Sequence, residues 1–374
     1  MEASALDMDS SPGTRRTIGV STRDQRLDIL RAVAVLLVLG RHVPFFPYWT
    51  KIGWIGVDLF FVISGFLISG LLFEEFTSFG AIRMRRFYLR RALKIYPPFY
   101  CMIFVTILVS WYLHDPIRLE EVGAELLFMQ NYFKGIWDHT WSLAVEEHFY
   151  LMLPPMLCLM IRNNSANPFR RLPSVYCLAA SVILVMRLFT ADTNFHHYFY
   201  PTHLRLDELL LGVVISYYRH FENGAFVRVA RWPLLPAASF LLILPALSLP
   251  VENHFLHTVG LTMLALGFAG ILMTFTIRGR NASELKVSGT IPRALAGIGV
   301  YSYSIYLWHV PVMAWGLPLI RQLAAKHTLT LRLFGVSYFF MYVAASIVVG
   351  IGMAKLVEMP VLAWRDRFFP SRSH

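Results

Sequence analysis

Charge is scarce in this chain of 374 residues: Lys, Arg, Asp and Glu together make 15%, against 56% hydrophobic residues. A water-soluble domain carries about a quarter charged residues, so most of this chain is not built to face water. Cysteine is equally sparse, at 3 residues. Cys101, Cys158 and Cys177 fall in or beside apolar runs without CxxC spacing, which argues against a disulfide framework and a zinc site and leaves small buried apolar side chains as their expected role. There is no Walker loop, no dinucleotide fingerprint and no GxSxG elbow, so the obvious nucleotide-driven transporters and hydrolases drop out. No clear internal repeat is present, which argues against transporter folds built from two related halves. The formal net charge is +11, yet the chain holds no soluble basic domain of the kind nucleic-acid binding needs.

What is abundant is apolar sequence of near-spanning length. Hydropathy predicts spans near 29–47, 54–73, 95–113, 141–161, 174–191, 204–221, 232–250, 257–277, 294–316 and 331–357. The expected fold is therefore all-α, a polytopic membrane helix bundle of about ten transmembrane helices. Most Lys and Arg fall in the N-terminal tail, the loops after even-numbered spans and the C-terminal tail, which predicts that both termini are cytoplasmic. Residues 1–24 are polar and mixed in charge, and read as a disordered cytoplasmic tail and not a signal peptide. Residues 25–358 form the expected membrane domain, and 359–374 a cytoplasmic C-terminal tail. The apolar stretch 124–133 is too short to span, so it is expected to be re-entrant or a loop packed on the bundle.

Polar residues inside apolar runs point to function. In RLDILRAVAVLLVLGRH, Arg31 and His42 lie about three turns apart on one helix face, His42 about 16 Å deeper. A histidine among lipid tails loses its hydrogen bonds, so His42 is expected to face protein or a water-filled cavity, either as a functional group or as a plain partner of a neighbouring helix. In GWIGVDLFFVISGFLIS, Asp58 and Gly65 share a face. Asp58 either orients a histidine or a substrate hydroxyl, or is a buried carboxylate met by backbone amides. Next come Arg83, Arg85, Arg86, Arg90, Arg91 and Lys94, entering a helix expected to break at Pro97 and Pro98. So many cations exceed positive-inside bias and suggest an anionic ligand, with phosphates or pyrophosphate suited to arginine and anionic lipid headgroups as the competing partner. In TWSLAVEEHFYLMLP, the adjacent Glu146 and Glu147 point about 100° apart, so at most one is expected on the bundle-facing line, with Glu147 favoured by Tyr150 and Pro154 along its face. A carboxylate there orients a histidine, pairs with Arg205 or Arg187, or accepts a proton itself. In YSYSIYLWH, Ser302, Tyr306 and His309 recur on one face as a polar stripe.

Taken in order, RLDILRAVAVLLVLGRH, GWIGVDLFFVISGFLIS, RRALKIYPPFY and WSLAVEEHFYLMLP, with YSYSIYLWH close to a fifth block, resemble the acyltransferase 3 family, integral membrane enzymes that acylate exported glycans, lipids and some antibiotics. The resemblance runs over about residues 26–312. It implies that Arg31 and His42 match the family's arginine–histidine pair, whose histidine activates the acceptor hydroxyl. Arg91 and Lys94 match a basic pair before an Ile-x-Pro element that helps to hold acyl-CoA, and Glu146 and Glu147 match its Glu-Glu. Lys94 stands where the family often has arginine, and His148 where it often has glutamine. The fused extracytoplasmic hydrolase-like domain of some relatives is expected to be absent, so that transfer is completed within the membrane domain.

The expected activity is thus a membrane O-acyltransferase of the cell membrane, moving an acyl group, acetyl being favoured, from cytoplasmic acyl-CoA to a hydroxyl of a carbohydrate, glycolipid or secondary-metabolite acceptor, as in lipopolysaccharide or exopolysaccharide modification. Its expected catalytic residues are His42, Glu147, Glu146 and Asp58. Arg31, Arg86, Arg90, Arg91 and Lys94 are expected at the donor, and Ser302, Tyr306 and His309 at the acceptor. Acyl-CoA is expected as co-substrate, with no metal and no permanently bound cofactor. Two alternatives stand beside it: an exporter of a lipid-linked or polymeric glycan without acyl chemistry, and a non-catalytic helical partner in a glycan-assembly complex.

Overall fold

The computed structural model describes residues 24–42, 46–161, 167–190, 195–277, 287–316, 318 and 331–370. The N-terminal tail up to residue 23, and the part of the first predicted span at 43–45, lie outside them. Among the described residues every regular element is helical. In chain order these are α1 Gln25–His42, α2 Pro47–Ile52, α3 Ile55–Phe79, α4 Met84–Leu113, α5 Leu119–Leu126, α6 Trp141–Ile161, α7 Leu172–Thr190, α8 Phe195–Phe199, α9 Leu206–Phe221, α10 Asn223–Ala230, α11 Leu235–Ser248, α12 Leu261–Thr276, α13 Thr290–Val300, α14 Ser302–Pro311, α15 Leu331–Met353 and α16 Met359–Phe368.

Among the described residues six stretches are long and apolar enough to cross a membrane: α3, α4, residues 138–161 through α6, α7, residues 256–276 through α12, and residues 337–368 through α15 and α16. The pair α10 and α11, bent by 75°, makes a seventh if it counts as one span. The other predicted spans also coincide with helices, but these are charged, short or interrupted. α1 carries Arg26, Asp28, Arg31 and Arg41, α9 runs for 16 residues with Asp207 and Glu208 in its first turn, and α13 and α14 are separated at Tyr301. Helices of that kind hold their polar groups against protein and not against lipid.

α3 is the centre of the bundle: 78% of its most apolar stretch is buried, against 17% for α7. Both helices are apolar all round, which suits lipid as well as protein, so burial and not composition sets α3 apart. Its closest partner is α9. A Cβ added at Gly65 would lie 1.9 Å from the Leu209 carbonyl oxygen, and one at Gly212 2.3 Å from that of Val62, so the two backbones touch where only glycine fits. α1 packs between α3 and α13, where Gly299 meets the Asp28 carbonyl in the same way.

Two expectations are corrected here. α4 runs through Pro97 and Pro98 without breaking. The prolines free the carbonyls of Leu93 and Lys94, and on the same stretch Tyr303 donates to the Ile95 carbonyl at 2.9 Å. The cysteines are free thiols, but none is buried: Cys101 and Cys158 are half-buried and Cys177 is exposed. On a lipid-facing surface an apolar side chain has no need of a protein core. The short apolar stretch 124–133 takes the packed-loop form. Phe128, held at φ 54°, stacks on Phe99 at 4.6 Å, and Tyr100 donates to the Leu126 carbonyl.

Candidate functional site

A cavity of about 90 Å³ lies where α1, α3, α4, α6 and α14 meet. Arg31, Arg91 and Lys94 border it, as do the carboxylates Glu146, Glu147 and Glu358 and the hydroxyl groups of Ser64, Ser142, Ser302, Tyr303 and Tyr306. The adjacent glutamates diverge as a helix requires, but both reach the cavity because its walls lie on two sides of α6. Ser64 of α3 donates to Glu146 Oε1 at 2.5 Å, while Glu147 faces Tyr96 of α4 and keeps Oε1 buried without a partner. Of the two, Glu147 is the buried one and Glu146 is half-buried, and each reaches the cavity from its own side. The Arg91 guanidinium sits over the Tyr150 ring, 4.0 Å from its centroid, within the field of both glutamates. Arg31 is 3.7 Å from Asp28, one turn back on α1.

Tyr306 is the joint between this cavity and a group of histidines. Its hydroxyl donates to the His139 carbonyl at 2.6 Å, so Ser142, 2.7 Å away, is left to donate to the Tyr306 oxygen. Its ring contacts His139 and His309 at centroid distances of 5.7 and 5.5 Å. His309 in turn lies 4.9 Å from His42 and 4.9 Å from His139. His42 is therefore not among lipid tails; it stands in an imidazole cluster behind the cavity wall. Ser302 and Tyr306 border the cavity, whereas His309 belongs to the cluster.

The cationic segment leads away from the cavity. Arg86, Arg90 and Arg365 line a groove of about 380 Å³ with Glu74 and Glu75, and Arg91 and Lys94 border both the groove and the cavity. Part of the cationic excess has a structural use: Arg86 and Arg90 donate to the carbonyls of Pro370 and Phe369, and Arg90 pairs with Asp366 at 3.1 Å, at the carbonyl end of α16. Cations at that end of a helix are favoured. A second groove, of about 570 Å³, runs between α4 and α6, and Arg91 and Glu147 form its inner wall.

Asp58 lies outside this arrangement. It pairs with Arg205 at 2.6 Å in a fully buried network in which Arg205 also meets Glu208 at 3.1 Å and Arg187 meets Asp207 at 2.6 Å. Arg187 and Arg205 are thus engaged by α3 and α9, not by Glu146 or Glu147. Outside the spans, burial pushes the Glu125 carboxyl of α5 up to about 7, although Trp137 N–H and the Thr140 hydroxyl both donate to it.

Sequence reasoning passed over His139, Glu358, Ser64 and Ser142. The first two had a readable signal: His139 stands immediately before the TWSL block, and Glu358 is a carboxylate at the end of the last apolar run. Ser304 donates to Glu358 at 2.7 Å, at the point where a wide helical turn, Ala354–Glu358, joins α15 to α16.

Comparison with known proteins gives the family. The chain is 30% identical to the peptidoglycan O-acetyltransferase OatA of Listeria monocytogenes over 79% of its own length and 50% of the relative's. It is 29% identical to the putative peptidoglycan O-acetyltransferase YrhL of Bacillus subtilis over 78% of its own length and 49% of the relative's. The chain spans about half the length of the curated relatives it matches. No solved structure matches it. The family model described as an acyltransferase domain covers residues 24–354, nearly the whole helical body, and with the blocks that carry the cavity this establishes that the chain belongs to the acyltransferase 3 family of multi-pass membrane proteins.

Proposed function

We propose that the chain is an acyl-CoA-dependent membrane O-acyltransferase that places an acyl group on a hydroxyl of a glycan. The relatives' names favour acetyl as the group and cell-wall peptidoglycan as the acceptor. One observation carries the reading: a cationic groove runs through Arg91 and Lys94 into a small cavity lined by carboxylates and hydroxyls, with His42 and its neighbours behind it. In this reading the chain crosses the cell membrane ten times with both ends in the cytoplasm, and the groove faces the cytoplasmic pool of acyl-CoA.

The chemistry follows from the donor. Its thioester is already activated and its phosphates cannot cross a bilayer, so the phosphates need cations at the inner surface while the acyl end reaches inward. Arg86, Arg90, Arg91 and Lys94 hold the phosphates and Arg31 the pantetheine arm, so that the thioester lies deeper, toward His42. The acceptor hydroxyl approaches His42 along the face of Tyr306 and gives up its proton. The alkoxide attacks the thioester carbonyl, and the cations with the Ser302 hydroxyl steady the oxyanion, while Tyr306, its hydrogen given to the His139 carbonyl, shapes the wall. The C–S bond then breaks and the proton goes to the departing thiolate. Glu146 and Glu147 fix the cationic wall, and Asp58 acts at a distance by holding α3 to α9.

The test uses membranes containing the chain, acetyl-CoA carrying a deuterated acetyl group, and glycan strands of the cell wall. Mass spectrometry should find deuterated acetyl esters on the glycan and free coenzyme A in step with them. Unmodified glycan moved across the membrane, with no ester formed, would refute the enzyme and favour the exporter.

A further inference from the structure

The acyl-transfer reading uses His42 but gives no work to the two imidazoles beside it. His139 comes from the turn before α6 and His309 from α14, and with His42 of α1 they bring three segments distant in sequence to one point. Both are buried. Their hydrogens are fixed by what they face. His139 Nε2 lies 3.2 Å from the Leu307 carbonyl, and His309 Nδ1 lies 2.5 Å from the Tyr306 carbonyl. A carbonyl only accepts, so each of those nitrogens carries the hydrogen. The opposite nitrogens, His139 Nδ1 and His309 Nε2, are then lone pairs, and both are buried with no donor. Buried acceptors of this kind are rare and ask for an explanation. The Trp137 ring, 6.2 Å from His139 and 5.6 Å from Trp315, closes one side of the group.

We propose that His309 and His139 hold the proton that His42 removes from the acceptor hydroxyl, so that the three imidazoles form one relay behind the reacting atoms. The proposal rests on the acyl-transfer reading above. In the step, the acceptor O–H bond breaks and its proton passes to His42 while the oxygen bonds to the thioester carbon. The rings of His42 and His139 each lie 4.9 Å from that of His309, and a small turn of the rings carries the proton to His309 Nε2, with His139 as the second basic ring, for as long as the tetrahedral oxyanion stands. Collapse breaks the C–S bond, and the proton returns through His42 to the thiolate; nothing is oxidised or reduced. The carbonyls of Tyr306 and Leu307 prepare the two outer rings for this role, because an N–H on a charged imidazole bonds a carbonyl more strongly than one on a neutral ring. His139 touches no reactant and acts through its neighbours, so it is a positioning residue.

The test compares the full chain, purified in detergent, with His139→Gln, using acetyl-CoA and cell-wall glycan strands. Glutamine keeps an N–H for the Leu307 carbonyl but has no basic nitrogen. The expected result is a fall in kcat of about 10²-fold, the lower end of the range for a positioned proton-transfer group, with KM for acetyl-CoA unchanged. Added imidazole should restore part of kcat to His139→Ala. If His139→Gln does not fold, His309→Asn carries the same test, because its amide keeps the hydrogen bond to the Tyr306 carbonyl. Wild-type turnover with an unimpaired variant, or a variant whose loss lies in KM, overturns the relay alone. A wild-type chain that releases no coenzyme A overturns the acyl-transfer reading and the relay together.

Discussion

Glu125 should make the folded chain less stable as pH rises through neutrality. Its side chain is wholly buried, and its carboxyl is pushed from an ordinary value near 4.5 up to about 7 because burial penalises the ionised form. A carboxyl raised on folding contributes stability that is fully present below about pH 4.5 and is lost as pH climbs through about 7. At about 1.4 kcal/mol per pH unit, the full contribution is about 3 kcal/mol. Glu125→Gln keeps an oxygen for Trp137 N–H and the Thr140 hydroxyl and cannot ionise. Thermal unfolding of both proteins in detergent should therefore give curves that separate with pH. The wild type loses stability between pH 5 and 8 relative to the variant, and the histidines, common to both, cancel in the difference. Glu121 on the same helix, paired with the exposed Lys134 at 2.8 Å, supplies a control whose replacement should leave the pH trend intact. Parallel curves for wild type and Glu125→Gln would refute the burial argument.

Three further outcomes are expected. His42→Ala should lower acyl transfer by about 10²–10⁴-fold while the protein remains folded in the membrane, and His42→Gln should fare little better; near wild-type esterification by either would remove His42 as the base. Arg91→Ala should raise KM for acyl-CoA far more than KM for the acceptor, and steady-state kinetics with each substrate varied would expose an equal effect on both as a folding defect instead. Gly65→Ala forces a methyl group against the Leu209 backbone and should destabilise by on the order of 1–3 kcal/mol, whereas Gly123→Ala, with open space around it, should not; equal melting temperatures would mean that α3 and α9 part easily.

The helices were legible because apolar runs declare themselves one segment at a time. So were the cavity residues that decorate those runs: Arg31, Arg91, Lys94, Glu146, Glu147, Ser302 and Tyr306 do converge. Pairings across the chain were not. Nothing local tells that Asp58 meets Arg205, or that His42, His139 and His309 meet at all, because helical periodicity names a face but not its partner. Helix breaks were also obscure. Proline marked a break in α4 that the helix does not show, while Tyr301, with no such mark, separates α13 from α14. Spans carrying several charges, such as α1, read as apolar only on average.

Stiffness in this bundle is uneven, and the unevenness follows from backbone chemistry. α3 and α9 touch backbone to backbone at Gly65 and Gly212 and are clamped at one end by Asp58 and Arg205, so they act mechanically as one beam. The opposite wall is made of α4 and α6, and each carries two consecutive prolines, Pro97 with Pro98 and Pro154 with Pro155. Every such proline removes a rung from the helical ladder and lowers the resistance of that turn to bending. Arg91, Lys94, Glu146 and Glu147 all ride on the compliant pair. Of the two walls of the cavity, the one that carries its charged groups is thus the easier to bend, while the beam keeps its shape.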